Sequence, residues 1–221
     1  MAAGALSSGP RISGGVAAMK KIDFKKEFGH LYLPGAKDVV LVDVPAMQFA
    51  MVDGVGNPNG SPDYIQALEA LFGVSYTLKF MLKHAGVADY KVGPLESLWW
   101  TEDDGGFSID AKEEWKWTSL IMQPDVVKRK DFEDAASQLR EKKDPPALTK
   151  VRFERWREGT AAQIMYIGPY SAERPTIERV HAFIRESGYR LSGKHHEIYL
   201  GDPRRSAPEK LKTVIRQPAR H

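Results

Sequence analysis

The feature that most constrains the fold of this chain is an internal repeat. Residues 48–54 (QFAMVDG) resemble residues 163–168 (QIMYIG), and each segment precedes a proline-containing loop and an amphipathic helical pattern. Later in each half, residues 121–124 (IMQP) match residues 215–218 (IRQP). Each half therefore predicts the order strand, helix, strand, strand.

A unit of this size leaves one sheet face uncovered and cannot close a core alone. We therefore expect two copies side by side. The predicted fold is α+β, with an antiparallel sheet, helices on one face and a central ligand cleft on the other. The approximate bounds are 39–125 for repeat one, 126–149 for a linker helix and 150–221 for repeat two.

Composition excludes several classes of protein. No apolar run reaches the roughly 18–20 residues of a membrane span, and there are no cysteines for disulfide or thiolate chemistry. The net charge of +3 comes from 32 basic and 29 acidic residues, which is too even to indicate a nucleic-acid partner. We expect a cytoplasmic protein, either a monomer or a weak homodimer. Residues 1–18 are expected to be a disordered extension or a cloning remnant, with one domain over 19–221.

Local signals place two elements. Ser61-Pro62-Asp63 gives an N-cap, a proline at the first helical position and an acid at the positive end of the dipole. Apolar residues at helical spacing then predict a helix to about Ala85, with its stripe in the core. Residues 151–157 and 161–167 are predicted to form two strands that turn at Glu158-Gly159.

The stretch that bears most on function is the predicted strand 195–200. Alternation puts Glu197, Tyr199 and His195 on one face and Ile198 on the other. A carboxylate beside a phenol is typical of a binding-cleft wall, although Glu197 would also suit a merely solvated sheet face. His195 and His196 are adjacent and point to opposite faces, so they make a poor metal pair.

The repeat extends this interpretation to the other half. It predicts that Glu197 and Tyr199 face Glu96 and Trp100 across the cleft. Only one of the adjacent Trp99 and Trp100 can face the cleft, and we prefer Trp100 because it is four residues from Glu96 and so lies on the same face of a strand. Aromatic walls bury flat ligands well, although any of these tryptophans could instead fill the core. The expected substrate-binding residues are Glu96, Trp99, Trp100, Trp115, Trp117, Tyr199 and Met51.

Several long motifs then make the chain resemble the gyrase-inhibitor-like superfamily, and most of all its stand-alone branch. The motifs are residues 93–100 (GPLESLWW), 115–118 (WKWT), 121–124 (IMQP), 195–205 (HHEIYLGDPRR) and 208–218 (PEKLKTVIRQP). The resemblance implies a GyrI-like small-molecule-binding domain over 19–221. Some stand-alone members hydrolyse the cyclopropane of DNA-alkylating antibiotics of the yatakemycin and duocarmycin type. Others are known only as binders, and related domains serve drug-sensing transcription regulators.

A poorly solvated carboxylate suits proton transfer, because burial raises the pKa of a carboxyl group. Together with this chemistry, the resemblance implies a cofactor-independent hydrolase that needs no metal and detoxifies drug-like compounds, as in drug resistance. Glu197 would take a proton from water, and Tyr166 or Tyr199 would stabilise the developing phenolate. One alternative is a binding module without catalysis, in which Glu197 anchors aromatic, often cationic drugs. A second is an effector-sensing partner of a transcription regulator, with the DNA-binding module on another chain.

Overall fold

The computed structural model describes residues 19–101 and 112–221. The extension predicted for residues 1–18 lies outside the described residues. Within the described ranges, no helix is both long enough and apolar enough to cross a membrane.

Nine strands and five α-helices make up the described chain. The strands are β1 (Lys20–Ile22), β2 (Val40–Val55), β3 (Ala88–Tyr90), β4 (Leu95–Trp100), β5 (Lys116–Gln123), β6 (Arg152–Ile167), β7 (Arg190–Leu191), β8 (His195–Tyr199) and β9 (Lys212–Arg220). The helices are α1 (Phe24–Glu27), α2 (Gly29–Tyr32), α3 (Pro62–His84), α4 (Arg129–Lys142) and α5 (Arg174–Glu186).

The order of these elements confirms the predicted duplication. The succession β2, α3, β3, β4, β5 recurs as β6, α5, β7, β8, β9, and α4 lies between the two halves. The signals at the start of α3 act as expected, since the side chain of Ser61 accepts a hydrogen bond from the backbone N–H of Tyr64. The fold is α+β with an antiparallel main sheet.

The main sheet curls into a barrel. Its strand order is β6-β2-β5-β4-β8-β9-β7, and β6 also pairs with β9, so that the first six strands close into a ring. The three long helices cover one side, which we call the outer face. There, Tyr64 of α3 packs on Trp117, Phe132 of α4 stacks on Phe153, and Ile177 of α5 joins a small apolar cluster. The other side is the inner face.

The two strands predicted to turn at Glu158-Gly159 are in fact one. β6 runs through this point and bridges β2 and β9. Glu158 and Gln163 are five residues apart, yet both contact Arg216 on the inner face. Strict alternation would put them on opposite faces. Gly159, at a φ of 81°, adopts the left-handed conformation that absorbs this change of side without ending the strand.

A buried polar network crosses the inner face. His196 lies 2.9 Å from Glu158 through Nδ1 and 3.1 Å from Glu96 through Nε2. Arg216 donates to Glu158 at 3.0 Å, and the Tyr32 hydroxyl of α2 donates to Glu96 at 2.8 Å. The two carboxylates, the guanidinium and the imidazole are buried together, so each charged group depends on the others for its solvation.

The contacts within this network change the pKa values of Glu158 and His196. Burial alone would raise the pKa of Glu158, but the charges of His196 and Arg216 outweigh it and lower that pKa. Burial alone would lower the pKa of His196, but Glu158 and Glu96 outweigh it and raise that pKa. The imidazolium of His196 and the carboxylate of Glu158 therefore stabilise one another in their charged forms.

We predict that Arg216→Ala lowers the free energy of unfolding by about 3–5 kcal/mol, because it leaves Glu158 buried with one partner fewer. Urea denaturation followed by circular dichroism measures this change. The matched control is Arg204→Ala, since Arg204 pairs with Asp202 at the surface and its loss should leave stability unchanged. Equal stability of the two variants would contradict this account of the network.

Candidate functional site

The candidate site is centred on Glu197, in the middle of β8. Its neighbours across the sheet are Ser97 of β4 and Ile215 of β9. The residue is 9% exposed, so the alternative of a carboxylate on a solvated sheet face is wrong. Glu197 lies on the outer face, the side that carries α3 and α5, whereas we had expected the cleft on the side away from the helices.

Both carboxylate oxygens of Glu197 have a partner. The Tyr199 hydroxyl donates to Oε2 at 2.7 Å, and His195 Nε2 lies 3.1 Å from Oε1. The indole N–H of Trp99 donates to the Tyr199 oxygen at 3.2 Å. Alternation along β8 explains the first two contacts, because residues 195, 197 and 199 share a face. The three side chains fix the position of the carboxylate from within the sheet.

Aromatic rings enclose this carboxylate from the helical side. Tyr170, in the short turn before α5, meets Tyr199 edge-on with ring centres 5.5 Å apart. The ring centre of Tyr64, on α3, lies 4.9 Å from that of Trp117 and 6.2 Å from that of Trp99. Burial, followed by the negative charge of Glu197, raises the pKa of Tyr199 well above its usual value. The Tyr199 hydroxyl therefore stays protonated and donates its hydrogen bond to Glu197.

A second carboxyl group, Glu173, belongs to the same surroundings. It lies at the start of α5 and is 4% exposed. Its Oε2 atom has no hydrogen-bond partner among the described residues. Burial, together with the charge of Glu197, raises the pKa of Glu173 to about 9. At neutral pH this group therefore carries a proton.

The sequence did not point to Tyr64, Tyr170 or Glu173. Tyr64 falls within the apolar stripe of α3, which we had assigned entirely to the core. Tyr170 and Glu173 are three residues apart, the spacing that brings side chains together at a helix start, but the loop before α5 showed no alternating pattern. Only the packing of α5 against β9 brings this pair close to Glu197.

Three of the predicted tryptophans lie on the outer face beside the site. Trp99, Trp115 and Trp117 are 3%, 9% and 1% exposed, and Trp99 and Trp115 pack with ring centres 5.2 Å apart. Trp99 contacts the site through Tyr199, whereas Trp117 lies beneath Tyr64. They therefore form the floor of the site rather than the walls of an open cleft.

Three other predicted residues lie on the opposite side of the sheet. The register pairs Glu96 with Ile198 and with Leu120, and Leu120 in turn pairs with Met51. Glu96, Met51 and Trp100 therefore share the inner face, away from Glu197. Glu96 takes part in the buried network, and the ammonium group of Lys194 lies 3.3 Å from the ring centre of Trp100. The expected arrangement across one cleft is wrong because β4 and β8 are direct neighbours in the barrel.

Tyr166 lies on the outer face but apart from Glu197. Its register partner on β9 is Thr213, which also pairs with Tyr199. The Tyr166 hydroxyl donates to the carbonyl of Pro169 at 3.0 Å. To contact a ligand bound at Glu197, the Tyr166 hydroxyl would have to break its hydrogen bond to Pro169.

Access to the carboxylate is narrow. The Glu197 side chain is 12% exposed, so little of its surface is open to a ligand. Two cavities in the described part of the chain, of about 130 and 350 Å³, have other linings. The smaller lies beside Trp117 and is bordered by Asp53, Asp63 and Lys150. Entry of a large ligand therefore requires Tyr64 or Tyr170 to move.

Comparison with known proteins agrees with this architecture. The sequence model of the GyrI-like small molecule binding domain matches residues 37–220. An uncharacterised conserved protein from Listeria innocua is 39% identical, with a TM-score of 0.84 and coverage of 90% of this chain and all of that one. A hydrolase from Listeria innocua is 40% identical, with a TM-score of 0.81 and coverage of 91% and 100%.

More distant proteins share the fold alone. The C-terminal domain of EcmrR is 10% identical, with a TM-score of 0.51 and coverage of 83% of this chain and 97% of that domain. No protein with a curated description matches the chain significantly.

We predict that Glu173→Gln stabilises the protein at pH 8 by about 1–3 kcal/mol, because the amide is neutral at every pH, whereas the acid must take up a proton when the chain folds. The folded pKa of about 9 exceeds the roughly 4.3 of an exposed glutamate. The folded state therefore keeps a proton that the unfolded chain loses, and stability falls as pH rises between these values.

Urea unfolding between pH 5 and 9 measures this slope, which the variant should reduce. Glu178→Gln is the matched control, since Glu178 is an exposed glutamate on the same helix. A variant less stable than the parent protein at pH 8 would show that Glu173 is held by partners as an ion.

Proposed function

Since the chain belongs to the GyrI-like small-molecule-binding family, we propose that it is a hydrolase acting on drug-like genotoxic compounds. It opens a cyclopropane or similar electrophilic group by adding water, and so detoxifies the compound. The observation that carries this proposal is the Glu197 carboxylate, held by Tyr199 and His195 within an aromatic shell. The 40% identity to a Listeria innocua hydrolase supports a hydrolytic reaction.

Glu197 acts as the general base. Its two oxygens are fixed by donors on the same strand, so the carboxylate is already oriented when the substrate arrives. It takes a proton from water while the water oxygen attacks the strained carbon. The carbon–carbon bond breaks, and its electron pair moves onto the conjugated oxygen of the substrate.

A phenol stabilises the oxygen that becomes negative. Tyr199 is the better placed candidate, because its hydroxyl lies 2.7 Å from Glu197 and receives the Trp99 indole N–H. Its one proton is donated to Glu197 at rest, and it turns to the substrate oxygen as Glu197 takes up the proton of water. A donor aimed at the developing charge is worth most where water is excluded. Tyr166, the other candidate, reaches the substrate only after release from Pro169.

The aromatic shell defines the substrate class. Tyr64, Tyr170 and Tyr199 present flat apolar surface and three hydroxyl groups around one acid. Such a lining favours planar, fused-ring ligands, since each ring adds stacking to the area it buries. The reaction proceeds in the cytoplasm, in a monomer or weak homodimer, with no cofactor or metal.

Binding without turnover is the second candidate function. The limited exposure of Glu197 favours it, because in turnover both the substrate and the attacking water would have to reach a largely buried carboxylate. In that case Glu197 would anchor a cationic group, which the aromatic faces also attract. The shared fold of the EcmrR C-terminal domain is the one observation that supports a role as the sensing partner of a transcription regulator.

We expect the protein to convert a spirocyclopropane alkylator to its ring-opened hydrate, seen as a gain of one water by mass spectrometry. Glu197→Gln should lower the rate by about 10²–10⁴-fold, the usual contribution of a general base. Tyr199→Phe and Tyr166→Phe, measured in parallel, identify the phenol.

Glu209→Gln, at an exposed position, serves as the control and should retain the parent rate. Ligand quenching of tryptophan fluorescence without ring opening would identify a binding module instead. A rate equal to that in buffer, unchanged by Glu197→Gln, would contradict the hydrolase.

A further inference from the structure

We propose that Glu173 is a second catalytic carboxyl group, which gives its proton to the substrate oxygen while Glu197 takes one from water. This inference rests on the proposed hydrolysis and adds the acid that the reaction needs. It would make the site a two-carboxyl acid–base pair built from β8 and the start of α5.

The position of Glu173 supports this role. The carboxyl is almost completely buried, and its Oε2 atom lacks a hydrogen-bond partner within the described ranges. A buried polar atom without a partner costs stability, so one that persists calls for an explanation. A ligand oxygen at this point would supply the missing partner.

The surroundings of Glu173 are those of the site. Tyr170, three residues earlier, touches Tyr199, and Tyr199 donates to Glu197. After burial, the charge of Glu173 is the next cause of the raised pKa values of Tyr166 and Tyr170. The titratable groups that interact with Glu173 are therefore Glu197 and Tyr199 of β8, Tyr166 of β6 and Tyr170.

Within residues 19–101 and 112–221, the charge that raises the pKa of Glu173 is that of Glu197, which has the same sign. Burial and this like charge raise the pKa of Glu173 to about 9, so Glu173 carries a proton at neutral pH. The oxygens of Glu197 contact Tyr199 and His195, whereas Oε2 of Glu173 has no partner among the described residues.

The step balances. Water forms a carbon–oxygen bond as the cyclopropane carbon–carbon bond breaks, and Glu197 receives the proton of the water. The electron pair arrives on the conjugated oxygen, which takes the proton of Glu173 and becomes a phenol. One proton then passes from Glu197 to Glu173 and restores the starting state, so the net reaction is the addition of one water.

The test compares Glu173→Gln with Glu178→Gln, its exposed match on α5. With the spirocyclopropane alkylator as probe, Glu173→Gln should lower the turnover rate by about 10²–10⁴-fold. It should also change affinity for the ring-opened product by less than about threefold, measured by tryptophan fluorescence. The parent rate should fall above about pH 9, and this alkaline limb should be absent from the residual activity of the variant.

A second measurement does not depend on turnover. Carbon-13 NMR of glutamate carboxyls in the parent protein should show one group titrating near pH 9, lost in Glu173→Gln and kept in Glu178→Gln. Absence of that titration, or full activity of Glu173→Gln, overturns the proposal. If the titration is present and the parent protein shows no turnover, the hydrolase is wrong and the protonated carboxyl of Glu173 stands as part of a binding site.

Discussion

The alternation of side chains along β8 is the constraint on which the rest of the structure depends. His196 points inward and completes a buried network with Glu158 and Glu96, while Glu197 points outward to the helices. A shift of one residue would exchange these two environments. The imidazole would lose its two carboxylates and the carboxylate would lose its phenol, so the register of one five-residue strand positions both polar clusters.

The inner-face network and the Glu197–Glu173 site differ in whether their buried charges have the same or opposite sign. On the inner face, opposite charges are paired, and the lowered pKa of Glu158 and the raised pKa of His196 both reflect stabilised ions. On the outer face, Glu173 and Glu197 have the same sign, and burial together with Glu197 raises the pKa of Glu173 to about 9. The first arrangement stabilises the barrel, whereas the second reduces stability in a way common at sites that perform chemistry.

The aromatic residues link these clusters to the proposed substrate. Trp99, Trp115 and Trp117 support the site from below and are too deeply buried to stack on a ligand themselves. Tyr64 and Tyr170 lie on the helical side, where movement of a side chain or a helix end would open the site. In the proposed reaction, the residues that meet a ligand first are therefore those of α3 and of the turn before α5, and the reacting carboxyl groups belong to β8 and to the start of α5.

The sequence by itself determined the duplicated order of elements, the bounds of α3 and the pairing of Glu197 with Tyr199 on one face. These features follow from local rules: capping, helical periodicity and strand alternation act over a few residues. It also predicted two strands around Gly159 and a cleft shared with Glu96, Met51 and Trp100, and both were wrong. Only the tertiary structure decided these points, because barrel closure makes β6 continuous and makes β4 and β8 direct neighbours. For the same reason Glu173 joined the site only in three dimensions: the docking of α5 on β9 is a long-range contact that no local pattern encodes.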